Sequence, residues 1–178
     1  MRLFTAIDLP EEVKNSILEK SSELAAPGIN LVKKEALHLT FHFFGERTED
    51  DARLICKALS KIKWSGFSIS LEGIGAFNSN FIRVIFVKVK EGSEEVVKLY
   101  KELSASIDKE GIPYEKEQYI PHITIARVKF ADRSKLLSFI EKYKGYNFGS
   151  FKVESFYLIK STLTSSGPIY EKLYEFKP

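Results

Sequence analysis

The sequence predicts a chain of mixed α and β structure built by duplication: two β-α-β-α-β lobes whose sheets face a central groove. Three observations predict it. Strand-like and helix-like hydrophobic patterns alternate along the whole length. Two near-identical tetrapeptides, His38-Leu39-Thr40-Phe41 and His122-Ile123-Thr124-Ile125, each sit in an apolar run that reads as a strand. Finally, 84 residues separate His38 from His122, and 84 again separate Phe67 from Phe151. The histidine strand and the strand after the next helix therefore keep register between halves. One domain over residues 1–178 is expected, with repeat one at about 1–78 and repeat two at about 81–178.

The elements follow in order. Arg2-Leu3-Phe4-Thr5-Ala6-Ile7-Asp8 reads as a first strand. Pro10 followed by Glu11 and Glu12 starts a helix, with Val13, Ile17 and Leu24 as its apolar stripe and Pro27-Gly28 as its stop. A strand runs from about Leu37 to Phe44 and closes at Gly45. Thr48 with Asp51 three residues on resembles a capping box. The helix it opens carries Ala52, Ile55, Leu59 and Ile62 on one face. Phe67, Ile69 and Leu71 alternate with polar residues as in a strand. In the second half, Phe81–Val87 is a strand, and Ser93 with Glu94 and Glu95 opens a helix. Its inner face is Val96, Tyr100, Leu103 and Ile107, and Gly111 ends it. After the second histidine strand come a helix at about 132–143, a strand at about 151–159 and a last strand at 169–176. Sequence does not fix the strand order, and parallel neighbours are open at this point.

Composition narrows the class. Hydrophobic residues are 44% and charged residues 29% of the 178, the balance of a globular, soluble protein. A net charge of +3 is too small to argue for nucleic-acid binding by bulk charge, so any such case rests on a site. The single cysteine, Cys56, forms no internal disulfide and points to a reducing, cytoplasmic compartment. The N-terminus meets Asp8 and Pro10 too soon for a signal peptide, and no apolar run approaches the roughly 20 residues of a membrane span.

The tetrapeptides carry the chemistry. In a strand, residues i and i+2 share a face at roughly 7 Å, so each motif presents an imidazole beside a hydroxyl. An imidazole titrating near 6.5 supplies a general acid or base at neutral pH, and a hydroxyl donates to phosphate oxygens. Two such pairs suit the in-line opening of a cyclic phosphodiester, one histidine taking a proton from water and the other protonating the departing oxygen. The third histidine, His42, shares the face of His38 and Thr40 by simple alternation. It lies roughly 13 Å along the strand, which places it at the periphery and rules out a shared metal. No carboxylate stands at a metal-ligand spacing, so no metal and no cofactor are expected. Lys33, Lys34 and Arg47 read as solvated surface with a secondary option as phosphate contacts. Tyr119 is a weak candidate for stacking on a base.

With these residues in view, the chain resembles the two-histidine phosphoesterase superfamily, and within it the RNA 2′,3′-cyclic phosphodiesterase branch, also called 2′-5′ RNA ligases. The resemblance rests on the stretch from His38 to Gly45, on Pro121-His122-Ile123-Thr124-Ile125-Ala126-Arg127, on the opening Arg2–Pro10, and on Leu158–Ser161 with Gly167 and Tyr170. It implies an α+β fold of two mainly antiparallel sheets facing a central groove, with the helices outside. It implies His38 as proton donor and His122 as proton acceptor, with Thr40, Thr124 and Arg127 on the phosphate. Strict alternation turns Arg127 away from His122 and Thr124, so it reaches them only if the strand ends or bulges near Ala126. The implied substrates are RNA ends or cyclic nucleotides, tRNA-derived ends included, taken by a monomer without a membrane. Two alternatives stand beside hydrolysis to a 2′-phosphate: 2′-5′ ligation as its reverse, and an RNA- or nucleotide-binding module without turnover.

Overall fold

The computed structural model describes residues 1–178. In chain order the elements are β1 (Arg2–Asp8), α1 (Glu11–Ser21), β2 (Ile29–Leu31), β3 (His38–Glu46), α2 (Glu49–Leu59), β4 (Phe67–Ala76), β5 (Val84–Val89), α3 (Ser93–Lys109), β6 (His122–Val128), α4 (Arg133–Lys142), β7 (Asn147–Val153), β8 (Phe156–Thr164) and β9 (Gly167–Phe176). One sheet has the order β3-β1-β8-β9 and the other β2-β6-β5-β4-β7. Every pairing is antiparallel, which settles the neighbours that the strand-helix alternation had left open. The two sheets meet where β3 runs beside β6.

Local chemistry explains most boundaries. Pro10 precedes α1, and Val13 and Ile17 fall one turn apart on its buried side. At α2 the capping box forms in full: Asp51 N donates to Thr48 Oγ1 at 3.1 Å, and Thr48 N donates to Asp51 Oδ2 at 2.9 Å. The helix ends at Leu59, so Ile62 packs on the core from beyond it rather than from its face. The expected strand at 151–159 is two strands, β7 and β8, broken at Glu154-Ser155. The strand expected from Phe81 begins at Val84, and the three-residue β2 carried no readable alternation.

The sequence halves do not coincide with the sheets. β4 of the first half lies in the sheet of β5 and β6, while β8 and β9 of the second half complete the sheet of β1 and β3. In that topology β8, the neighbour of β1, takes the place that β4 takes beside β5. The 84-residue match of Phe67 to Phe151 instead links β4 to β7, which pair with each other, Ile69 opposite Phe151. Helices cross over likewise. α1 packs on β6 and β7, whereas α3 places Ser104 and Tyr100 against His42 of β3. Buried residues of both halves thus join one continuous cluster, from Leu3 and Ile17 through Ile55, Ile85 and Leu103 to Ile123 and Phe156.

The two histidine strands share one irregularity. On β3, Thr40 pairs with Ala6 and His42 with Thr5, so Phe41 is an extra residue. On β6, Thr124 pairs with Phe86 and Ala126 with Ile85, so Ile125 is extra. Phe41 and Ile125 are again 84 residues apart. A bulge of this kind inverts the alternation beyond it. His42 is therefore not peripheral on the face of His38. It turns into the core, 1% exposed, with Nδ1 3.2 Å from Thr5 Oγ1 and Nε2 2.8 Å from Ser104 Oγ. Tyr100 stacks on its ring at 4.7 Å.

Burial pushes the His42 imidazole down to about 3. The folded state therefore holds it neutral while the unfolded chain takes a proton below about 6.5. The stability this contributes is present above pH 6.5 and is lost as pH falls from there toward 3. Between pH 7.5 and pH 5.0 the loss from His42 is about 2 kcal/mol. Urea unfolding at the two pH values should show a smaller difference in His42→Gln than in the wild type, and equal differences would refute the assignment.

Candidate active site

His38 opens β3 and stands opposite Asp8 of β1 in the ladder. Its half-buried ring stacks on Phe4 at 4.8 Å and meets the edge of Tyr170 at 5.6 Å. Burial lowers its pKa to about 4; the charge of Asp8 opposes that shift and Lys14 adds to it. Asp8 is held in turn by Lys14 Nζ at 2.8 Å and Lys172 Nζ at 2.5 Å. Although burial pulls the Asp8 carboxyl upward, these two ammonium groups outweigh it and keep Asp8 ionised.

His122 opens β6 and is held differently. Its Nδ1 lies 2.6 Å from the Ile120 carbonyl. A carbonyl only accepts, so Nδ1 carries the hydrogen and the neutral ring keeps its lone pair on Nε2. Phe77 stands perpendicular to the imidazole at 4.9 Å, and Phe86 lies at 5.3 Å. Phe86 in turn rests over Gly75, where a Cβ would come within 2.9 Å of the ring. Burial lowers the His122 pKa, the Ile120 bond resists this, and the positive charge of Arg127 lowers it further.

Thr40 and Thr124 are half-buried on the faces of their histidines. Arg127 is exposed and returns to the face of His122 and Thr124, because the extra residue Ile125 precedes it. Alternation alone had turned it away. Its charge also reaches Tyr170: burial raises that phenol's pKa, while Arg127 and Arg2 pull it back. Tyr170 touches His38, so one arginine acts on the surroundings of both histidines.

Other sequence candidates fall elsewhere. Tyr119 is no stacking platform in a groove. Half-buried, it stacks on Tyr100 at 3.9 Å and donates its hydroxyl to the Thr40 carbonyl at 3.0 Å. Burial pushes that phenol upward, so it remains a protonated donor. Lys34 pairs with Glu11, Lys33 donates to the Ser166 carbonyl at 3.0 Å, and Arg47 spans the carbonyls of Glu46 and Pro113. No group of three or more His, Cys, Asp or Glu side chains converges as a metal cluster. No helix is long and apolar enough to cross a membrane. A concavity of about 750 Å³ between the end of α1 and α4 lies among Leu24, Pro27, Phe130 and Leu136, with neither His38 nor His122 in its lining.

Sequence reasoning missed Phe4, Asp8, Phe77 and Phe86 as neighbours of the histidines. The first two were within reach: on β1 the positions Phe4, Ala6 and Asp8 alternate with the core residues Leu3 and Ile7. The other two depend on β4 and β5 joining β6, which local pattern does not encode.

The arrangement can present one neutral Nε2 and one imidazole beside a carboxylate, with two hydroxyls and a guanidinium nearby. Comparison with known proteins bears on what that serves. Residues 10–164 match the model of the 2′-5′ RNA ligase superfamily. A Methanocaldococcus jannaschii protein named RNA 2′,3′-cyclic phosphodiesterase is 43% identical over 178 residues, covering 99% of this chain and 100% of that one. An Archaeoglobus fulgidus protein of the same name is 34% identical, with 99% and 100% covered. The crystal structure of TT0787 of Thermus thermophilus superposes with a TM-score of 0.82 at 31% identity, covering 99% and 97%.

The Tyr119 hydroxyl bonds the carbonyl at the edge of the β3 bulge, inside the protein. Tyr119→Phe should cost about 1 kcal/mol and lower Tm by roughly 3 °C in a chain of this size. An unchanged Tm in thermal unfolding would show that the bond contributes nothing.

Proposed function

Since the chain belongs to the 2′-5′ RNA ligase superfamily, we propose that it hydrolyses RNA 2′,3′-cyclic phosphate ends to 2′-phosphates by two-histidine acid–base catalysis, without a metal. The observation that carries this reading is the matched pair of faces, each a histidine and a threonine ahead of the same one-residue bulge. The relatives' names support the substrate class.

In this mechanism His122 is the base. Its Nδ1 is committed to Ile120, which leaves Nε2 to take a proton from the attacking water. Arg127 disfavours its charged form, which keeps the lone pair free. His38 is the acid that protonates the departing 3′ oxygen, and the charge of Asp8 favours its protonated form. Thr40 and Thr124 donate to the non-bridging oxygens as their charge grows, and Arg127 stabilises the same charge. The cyclic phosphate needs no redox partner. One P–O3′ bond breaks, one P–O bond to water forms, and the two protons pass through the histidines. The family's name favours a second reading, 2′-5′ ligation, which is the same step run with a 5′-hydroxyl in place of water.

Protein in EDTA with 2′,3′-cyclic AMP should release 2′-AMP and no 3′-AMP. His38→Ala and His122→Ala should each lose roughly 10²–10⁴-fold in rate. Activity surviving both substitutions would refute the mechanism. Absence of turnover on this substrate and on a cyclic-ended oligonucleotide, with binding retained, would make the chain a binding module.

Both histidines are held below their ordinary pKa by burial in the free protein. A bound anionic phosphate favours the protonated imidazole and raises both. The profile of kcat/KM, which reports the free enzyme, should therefore lie at lower pH than the profile of kcat, which reports the complex. Coincident profiles measured over pH 4–9 would contradict this.

A further inference from the structure

We propose that Phe77 forms the platform for a second nucleoside, the one whose 5′-hydroxyl replaces water as the nucleophile. This rests on the two-histidine reading with His122 as the base. In an in-line displacement the nucleophile and the leaving oxygen lie on opposite sides of phosphorus. The nucleoside that keeps the phosphate departs on the His38 side, so any larger nucleophile must approach along the wall of His122.

That wall ends in an aromatic ring left half in solvent. Phe77 follows the last residue of β4 and packs perpendicular to His122 at 4.9 Å and against Phe86 at 4.5 Å. Phe86 is 6% exposed, whereas Phe77 is 52% exposed. Two contacts fix the ring and leave the rest of it open beside the base. A nucleobase laid on that surface buries apolar area and gains stacking, which tolerates any base because each has a π-face. Lys88 stands directly opposite His122 on β5, exposed and in no ion pair, where it can meet the phosphate of the same incoming strand. Water, by contrast, needs no platform. Phe77 thus serves the path by which O5′ attacks phosphorus, His122 takes the hydroxyl proton, the P–O3′ bond breaks, and His38 protonates O3′. The product is a 2′-5′ phosphodiester with a free 3′-hydroxyl.

The test uses an RNA oligonucleotide with a 2′,3′-cyclic phosphate and excess 5′-hydroxyl RNA, and measures 2′-5′-joined product against 2′-phosphate. The joined-to-hydrolysed ratio should fall about 10-fold in Phe77→Leu, within the range that stacking on one aromatic supplies, and return in Phe77→Trp. An unchanged ratio in Phe77→Leu would overturn the assignment. So would a wild type that hydrolyses the cyclic end but joins none of it. A parallel loss of both products would assign Phe77 to holding His122 instead. If the wild type neither hydrolyses nor joins, it is the two-histidine reading that fails.

Discussion

In a strand that is buried on one face, residues an odd number of positions apart look in opposite directions. His122 and Arg127 are five apart, yet both belong to the groove side of β6. The extra residue Ile125 makes that possible, and its cost is a locally broken ladder. The cost is offset because Ile125 and its neighbour Ala126 both reach the core, as does Val128 beyond the exposed Arg127. The Ile125 carbonyl accepts the Val32 amide at 2.9 Å, continuing the register by which β2 pairs with β6. On β3 the carbonyl just before the extra residue, that of Thr40, accepts from the Tyr119 hydroxyl. Without the extra residue on β6, Arg127 would turn away from His122 and Thr124.

The duplication is symmetric in what it repeats and asymmetric in what it adds. Beyond each bulge the next groove-facing position is Phe43 on β3 and Arg127 on β6, again 84 residues apart. Phe43 packs near Phe4 at 6.0 Å, the ring that stacks on His38. Arg127 instead places a cation near His122. The remaining difference is Asp8, on the strand beside His38, for which the His122 side offers Lys88 in the matching ladder position. Asp8 opposes the lowering of the His38 pKa while Arg127 adds to the lowering at His122, and in the proposed reading that difference separates the acid from the base.

Much of this was legible in the residues. The histidine strands, the helix caps at Pro10 and Thr48, and the pairing of His with Thr follow from local pattern and need no tertiary context. The fate of His42 was not legible. Simple alternation puts it with His38, and only the extra residue Phe41 sends it to Thr5 and Ser104. Nothing in the run Thr40-Phe41-His42-Phe43-Phe44 signals a bulge, because aromatic residues suit either face. The exchange of β4, β8 and β9 between sheets was hidden for a different reason. A strand carries its burial pattern but not the name of its neighbour, so by sequence β8 and β9 simply continue the second half. With them went Tyr170, whose place beside His38 comes entirely from β9 entering the first sheet.

The electrostatics of the free groove bear on how such a site would work. Both imidazoles are drawn toward neutrality by burial against Phe4, Tyr170, Phe77 and Phe86. A neutral pair is the wrong protonation state for acid–base catalysis, which needs one charged member. In the proposed mechanism the anionic phosphate compensates a protonated imidazole. On arrival it would favour protonation of the imidazole that already has a carboxylate beside it, His38, and would leave His122 under the opposing charge of Arg127. The apolar walls that suppress charge in the empty groove also keep the dielectric low around the phosphate, so each donor acts more strongly once the substrate is in place. The aromatic lining is then part of the catalytic device in this reading, setting when the histidines become different from each other.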